Sequence, residues 1–393
     1  MINNPTTTAI NNGDFVEAQK LVANGDNFPV GIDAYALGSI YQKIITAKAF
    51  SFLDTLIEAG KLETDIYEYD SFKTSIFKTL FKSLPADEDS LSYLESFVQK
   101  HDNINDEVGG ETLLSFALAE GAAPAIIKAL IAGGCNTDFR NAAEENLIYQ
   151  VVNNNQIKPE LISEYLSDLL DNGLDLNEAN IEGTTALHLA VKRAKREVIP
   201  VLLANGANPN EVDGKGITAF YTAAVDLSDL KIYEALSENH QPDFEQRSRE
   251  KETMLSAYLR MMQSSESAIK LLEKLIDEGA DLKQVSPYYS KDKSGLDWLA
   301  EKKSPVFSTI VKKGIIELND QDDEGNTLLH KVCAVDSNYD QEVAKDTYRK
   351  VKLLLESGAD VSITNSHDET AMMIASGDNL KTKTVEILLS AKS

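Results

Sequence analysis

One pattern recurs along this chain about every 33 residues, and it limits the possible folds more than composition does. In its full form, at residues 202–210, two apolar residues precede two polar ones, a Gly and a short polar run. The Gly position of this pattern, or the residue that replaces it, stands at Gly25, Gly60, His101, Gly133, Gly173, Gly206, Asn239, Gly279, Gly314 and Gly358. The smaller spacings lie near 33 residues, and the larger ones indicate insertions. A chain built this way predicts a repeat architecture.

A second pattern precedes most of these positions. It is most complete as Gly-Thr-Thr-Ala-Leu-His-Leu-Ala at residues 183–190, and partial copies contain Thr112, Thr218, Thr253, Thr327 and Thr370. Thr before an apolar run favours a helix N-cap, because its hydroxyl accepts from a free backbone N–H. A second helix then ends at the apolar pair, where Gly supplies a left-handed residue. One such helix pair cannot bury its apolar face alone, so neighbouring pairs must stack.

Residues 183–210 resemble an ankyrin repeat, with Thr-Ala-Leu-His-Leu-Ala from Thr185 in place of the family's T-P-L-H-x-A. The resemblance implies an all-α, ankyrin-type helical solenoid of about nine to ten stacked helix pairs, with short hairpin-like turns between repeats. It is specific from about Val108 to the C-terminus and weaker before that. We therefore predict degenerate N-terminal ankyrin-like repeats or a helical cap over 1–105, and a repeat solenoid with insertions over 106–393.

Insertions account for the longer spacings. Three of them, at 153–159, near 261–266 and at 336–342, fall between the two helices of a pair. The third is predicted to continue as a helical extension to Arg349. A fourth, at 283–293, lengthens the turn between two repeats.

The charge of the chain limits its partners. Its 38 Lys and Arg against 63 Asp and Glu give a formal net charge of −25, and 42% of its residues are hydrophobic. This composition predicts a folded protein, and the charge argues against nucleic-acid and anionic-membrane binding. No secretory signal or membrane-spanning stretch is visible. We therefore expect a cytoplasmic monomer whose partner is another protein, one with a basic patch.

Catalytic and metal-binding motifs are absent from the sequence, so we expect no catalytic residue, no cofactor and no metal. His188 and His330 hold equivalent repeat positions, where the resemblance implies a structural His bonded to the neighbouring turn. Residues 320–325 resemble the start of a calcium loop, but its twelfth position is Lys331 instead of Glu. Cys135 and Cys333 lack the basic neighbours that make a thiol reactive.

The resemblance implies binding of a partner protein on a concave face formed by turns and first helices. The predicted function is a non-catalytic protein–protein interaction module. The residues that map onto this face are Ile181, Glu182, Thr184, Lys192, Arg193, Lys215, Ile217, Asp226, Arg249, Glu250, Arg260, Tyr288, Tyr289, Asp323, Glu324 and Asn326.

Several alternatives remain at this stage. The chain could be a host-directed effector or an inhibitor that blocks a target protein. It could instead be an enzyme with a site in the degenerate N-terminal third, where Asp65, Glu68 and Asp70 lie near two tyrosines. The basic run at 192–196 is either a solvated helix end or a contact for an acidic motif. Tyr288 and Tyr289 either pack back on their turn or bind a partner.

Overall fold

Residues 4–26, 28, 34–289 and 291–391 are described by a computed structural model, and they form an almost entirely helical, ankyrin-type fold. The chain divides into two compact units, residues 1–208 and 209–393. In each unit, consecutive short helices form pairs, and each pair has a first and a second helix. First helices pack on first helices of the next repeat, and second helices pack on second helices.

The first unit contains six helix pairs among its described residues. These are α1 (Pro5–Asn11) with α2 (Phe15–Ala23), α3 (Ala34–Thr46) with α4 (Phe50–Glu58), α5 (Ile76–Ser83) with α6 (Glu88–Val98), α7 (Leu113–Ala119) with α8 (Pro124–Ala132), α9 (Leu147–Asn153) with α10 (Pro159–Asp171), and α11 (Ala186–Lys192) with α12 (Val198–Ala204). Two 3-10 turns, Ile66–Glu68 and Phe72–Thr74, precede the third pair.

The second unit contains five helix pairs among its described residues. These are α13 (Ala219–Tyr221), which continues as a π-helix (Thr222–Asp226), with α14 (Leu230–Ser237); α15 (Met254–Met261) with α16 (Glu266–Asp277); α17 (Gly295–Glu301) with α18 (Ser304–Lys312); α19 (Leu328–Ala334) with α20 (Gln341–Glu356); and α21 (Ala371–Ser376) with α22 (Thr382–Ala391). A β-hairpin of β1 (Val285–Tyr288) and β2 (Lys291–Ser294) precedes α17.

The all-α ankyrin fold is thus confirmed, and the described residues hold eleven helix pairs instead of nine to ten. The additional pair is α21 with α22, which has no Gly after its second helix and so escapes a count of Gly positions. The predicted extension to Arg349 is confirmed, because α20 runs through it as a helix of 16 residues. The predicted boundary at 105/106 remains a prediction.

Thr residues stand at the N-cap of six first helices, α7, α11, α13, α15, α19 and α21, as predicted. The Thr185 hydroxyl accepts from the backbone N–H of His188, and Thr112 forms the same arrangement with Ser115. One predicted helix end was wrong by one residue. Gly133, the residue that follows α8, keeps a right-handed backbone at φ −71°, and Gly134 at φ +106° is the left-handed residue. Gly133 is confined by packing instead, because a Cβ there would lie 3.1 Å from Cγ1 of Val98.

Aromatic rings fill the core of the first unit where the Thr-Leu-His pattern is missing. Phe77 is fully buried and contacts the rings of Phe72, Phe81 and Phe97, and Phe72 stacks on Phe116 of α7 at 5.5 Å between ring centroids. Large rings bury much apolar area per residue. They allow helix pairs to continue into the N-terminal third without the sequence pattern that marks later repeats.

Asn side chains join the turns of successive repeats. Asn177 donates from Nδ2 to the carbonyl of Gly206 (3.1 Å) and accepts at Oδ1 from the N–H of Asn208 (2.8 Å). The same pair of bonds is made by Asn105, Asn210 and Asn319. Each side-chain amide acts as a peptide group would in a sheet, satisfying one donor and one acceptor of the next repeat. We call these four contacts the amide bridges.

Lysine side chains donate hydrogen bonds to the carbonyls at the C-terminal ends of several first helices. Lys350 donates from Nζ to the carbonyls of Ala300 (2.7 Å) and Lys302 (3.0 Å), at the C-terminus of α17. Lys381 and Lys195 make equivalent bonds to the ends of α19 and α9. The last carbonyls of a helix have no partner within the helix and carry partial negative charge, which favours a cation there. We call these residues the lysine caps.

We predict that Lys350→Met destabilises the second unit by about 3 kcal/mol, because it leaves one buried and one part-buried carbonyl without a donor. The Lys350 side chain is 2% exposed, and burial lowers its pKa despite the nearby Asp346. Urea denaturation of the variant measures the change. Lys352→Met, on the exposed side of the same helix, is the control and should change stability by less than about 0.5 kcal/mol. Equal effects of the two substitutions would contradict the capping role.

Candidate protein-binding surface

Six of the turn tips, the five residues before a first-helix cap, are built around one Asn, Asp or Ser side chain. In the tip at 180–184, Oδ1 of Asn180 accepts from the backbone N–H groups of Glu182 and Thr184, both at 3.0 Å. Equivalent residues are Asn141, Asp213, Asp322 and Asn365, and in part Ser248. All of them stand five residues before the cap. The sequence shows this spacing, but none of these residues is in the predicted contact set.

Backbone hydrogen bonds connect neighbouring tips within each unit. The N–H of Ile181 donates to the carbonyl of Ala143 (3.1 Å), and the N–H of Arg249 donates to that of Lys215 (2.8 Å). A close approach makes the second contact possible, because a Cβ on Gly216 would lie only 2.9 Å from the carbonyl oxygen of Arg247. The tips therefore form a fixed edge from which side chains project.

In the first unit, the five predicted contact residues lie at one tip and at the end of α11. Ile181 is 73% exposed and Glu182 is exposed, whereas Thr184 is half-buried and bonds Asn180. Lys192 is exposed. Arg193 donates from Nη1 to the carbonyl of Asn153 (3.1 Å), so part of the basic run serves to cap α9.

In the second unit, the predicted residues occupy successive tips and first helices. Lys215, Arg249 and Glu250 are exposed at the tips, Ile217 is half-buried, and Asp226 is exposed at the end of the π-helix. Arg260 on α15 makes a bidentate ion pair with Glu252, through bonds of 2.9 and 2.8 Å. The exposed cations Lys251 and Lys291 on this edge are absent from the predicted set.

The two tyrosines of the hairpin behave differently. Tyr288 packs edge-on against Trp298, with ring centroids 4.7 Å apart, and Nζ of Lys293 lies 4.0 Å from the centroid of the Trp298 ring. Trp298 is buried, as predicted. Tyr289 contacts only the edge of Tyr288 among the described rings and is 93% exposed. The ring of Tyr288 therefore belongs to the fold, and the ring of Tyr289 is available to a partner.

The acidic turn at 320–326 is stabilised by a lysine. Lys331 donates to Asp322 (2.5 Å) and to Asp297 (2.6 Å). Burial opposes ionisation of Asp322, but the bonds from Lys331 and from the backbone N–H groups of Asn326 and Glu324 hold its pKa below the usual range. Lys331 stands at the twelfth position, where a calcium loop needs a Glu, and supplies the positive charge itself. Asp323 and Glu324 stay exposed, and Asn326 is half-buried.

His330 has the structural role that the resemblance implied. Its Nδ1 accepts from the backbone N–H of Thr327 (3.2 Å), so Nε2 carries the proton and donates to the carbonyl of Glu369 in the next repeat (3.1 Å). His188 makes the equivalent bond to Thr185. Both rings are buried.

The carboxylates of the N-terminal third are used locally. Oδ1 of Asp65 accepts from the N–H of Tyr67 (3.0 Å) and from Nδ2 of Asn103 (2.7 Å), so it caps a turn. Within the described ranges, no group of three or more His, Cys, Asp or Glu side chains is arranged to hold a metal ion. None of the described helices has the length and apolar character needed to cross a membrane.

We predict that neither cysteine reacts quickly with an aromatic disulfide reagent at pH 8 in the native protein. Cys135 and Cys333 are buried, and burial raises the pKa of each thiol to about 12. The thiolate is the reactive form, so little of it is present. Absorbance of the released thiol measures the rate, and the same protein in urea should release two equivalents. A fast native reaction would show that one of the two helix ends opens readily.

Comparisons with known proteins agree with this architecture. A family model described as ankyrin repeats (3 copies) matches residues 114–213 and 160–248, and an ankyrin repeat model matches residues 324–366. No curated protein sequence matches the chain.

Among solved structures, the ankyrin repeat domain of Bcl-3, described as a unique member of the IkappaB protein family, is 23% identical with a TM-score of 0.49, over 62% of this chain and 97% of that one. A chain of the complex between Bd0816 predatory endopeptidase from Bdellovibrio bacteriovorus and immunity protein Bd3460 is 20% identical with a TM-score of 0.40, over 54% and 100%. The family models, together with the capped helix pairs and bonded turn tips, show that the chain contains ankyrin repeats.

Proposed function

We propose that this chain is a non-catalytic protein–protein interaction module. It binds a partner protein on the concave face, through the turn tips and the exposed sides of the first helices. The ankyrin repeats support a binding role of this general kind. The residues proposed for contact are fifteen of the sixteen that were predicted for this face; Tyr288 is left out because its ring packs on Trp298.

The observation that carries the proposal is the contrast between fixed backbone and exposed side chains at the tips. Side-chain caps and tip-to-tip bonds hold the backbone at Ile181 and Arg249. Large apolar groups nevertheless project from this edge, with Ile181 at 73% exposure on its tip and Tyr289 at 93% exposure on the hairpin. Preorganised edges that display aromatic, aliphatic and Arg side chains lose little entropy on binding, and such side chains dominate interface energies.

The exposed carboxylates of Asp323 and Glu324 support a partner with a basic patch opposite this turn. A scaffold, an inhibitor and a host-directed effector would all use such a surface, because each depends on the same contacts. The geometry of the N-terminal carboxylates does not favour an enzyme, since Asp65 serves a turn.

The test is the combined variant Lys192→Ala, Arg193→Ala, Asp323→Ala and Glu324→Ala. The partner is first captured with the wild-type chain from its native cells and identified by mass spectrometry. We expect the purified partner to bind the variant at least about tenfold more weakly. The melting temperature should fall only slightly, because Lys192, Asp323 and Glu324 are exposed and Arg193→Ala removes one exposed bond to a helix end.

A matched control keeps the number and sign of the charges but moves the substitutions to second helices and their ends, as Lys158→Ala, Glu160→Ala, Lys352→Ala and Glu356→Ala. All four positions are exposed. The control should keep wild-type affinity. If the first variant binds as tightly as the wild type, the proposed face is wrong.

A further inference from the structure

Part of the turn edge in the second unit carries charge opposite to that of the whole chain. Four exposed cations, Lys215, Arg249, Lys251 and Lys291, stand on three consecutive turns. We call them the cationic band. The chain as a whole has a formal charge of −25. A local reversal of sign on a preorganised edge is a feature that net charge alone conceals.

The three turns are in direct contact, so the band is one continuous surface. The N–H of Arg249 bonds the carbonyl of Lys215 (2.8 Å), joining the first turn to the second. Nη1 of Arg247 donates to the carbonyl of Val285 (2.9 Å), which joins the second turn to the hairpin. Lys291 lies on the second strand of that hairpin, opposite Tyr288.

None of the four side chains forms an ion pair within the described part of the chain. Two of the carboxylates close to the band in sequence are occupied by other groups. Asp213 accepts from the backbone of its own turn, and Glu252 is held in the bidentate pair with Arg260. The charges of the band therefore remain available to a carboxylate supplied from outside.

Two residues of this surface have left-handed backbone conformations, which are unfavourable for their residue types. Lys251, at φ +62°, occupies the position that Gly183, Gly216 and Gly325 hold in other tips, and that Glu144 and Asp368 also hold at φ +58°. Tyr289, at φ +53°, has an exposed ring on the hairpin next to Lys291. Left-handed backbone is unfavourable for long and aromatic side chains. Strain of this kind at an exposed position motivates a search for function there.

We propose that the cationic band and Tyr289 bind an acidic segment of a partner protein. Its carboxylates would pair with the four cations, and an apolar or aromatic side chain would pack on the ring of Tyr289. This inference deepens the proposed function and rests on it. An acidic peptide fits better than nucleic acid, because exposed Glu250 and Asp292 interrupt the cations and would repel a continuous row of phosphates.

Screening by salt makes binding of an acidic segment compatible with the net negative charge of the chain. At 0.15 M ionic strength, charges farther than about 8 Å from a docked carboxylate are largely screened. A bound segment therefore responds to the band and much less to acidic residues elsewhere. Without such a site, the net charge predicts the opposite preference, for basic segments.

The test uses the full chain and a series of labelled twelve-residue peptides. All contain one Trp and two Leu, and their net charges are −6, −3, 0 and +3. Fluorescence anisotropy at 0.15 M salt gives the affinities. We expect affinity to increase with negative charge, by about tenfold or more between 0 and −6, and to fall at higher salt. A preference for the +3 peptide, or no binding by any peptide, overturns the inference.

Charge-reversal variants locate the site. Lys215→Glu, Arg249→Glu and Lys291→Glu together should weaken the −6 peptide at least tenfold. The control Lys231→Glu, Lys303→Glu and Lys312→Glu changes the net charge equally at exposed positions elsewhere in the same unit and should change affinity less than twofold. Equal losses would show a nonspecific charge effect. Tighter binding of a twelve-nucleotide single-stranded DNA through the band would also overturn the inference.

Glycine variants separate binding from folding. Lys251→Gly and Tyr289→Gly should each weaken the −6 peptide about threefold or more, with melting temperatures at or above that of the wild type, since Gly relieves the left-handed strain. A structural role would instead lower the melting temperature. These peptides do not report on Lys192, Arg193, Asp323 or Glu324. If the peptides fail to bind the cationic band, the capture experiment can still test the proposed function separately.

Discussion

Short helices impose the constraint on which this structure depends. An α-helix leaves its first four N–H and last four C=O groups without internal partners, so a helix of seven residues such as α11 has few internal hydrogen bonds. Isolated helices of that length are unstable in water. The chain resolves this by supplying partners from outside each helix. Thr, Ser, Asn and Asp side chains satisfy most N-termini, the lysine caps satisfy several C-termini, and the amide bridges satisfy four of the turns.

This explains which parts of the fold could be predicted from sequence. The Thr cap and the terminal Gly act within a few residues, so Thr185 and Gly206 reveal their roles by local spacing. Lys350 acts on carbonyls about fifty residues away, and nothing near it in sequence distinguishes it from exposed Lys352. Long-range polar contacts of this kind become visible only when the repeats are stacked.

The proposed binding surface likewise contains residues that could be placed from sequence and residues whose roles depend on packing. Positions at the tips follow from repeat spacing, so exposed Ile181 and Glu182 could be placed from sequence. Whether Tyr288 or Tyr289 stays exposed depends on the hairpin, in which Tyr288 turns toward Trp298. The role of Arg193 depends on the end of α9, which lies in the preceding repeat. Side-chain direction and neighbours, not residue type, decide these cases.

The amide bridges and lysine caps also have a direction along the chain. Asn177 bonds groups that follow it by about thirty residues. The carbonyls at the end of α17 accept from a lysine almost fifty residues later. During synthesis on a ribosome, a repeat that uses an amide bridge or a lysine cap therefore completes its hydrogen bonds only after the following repeat has emerged. Folding of such a nascent repeat is thus coupled to its successor.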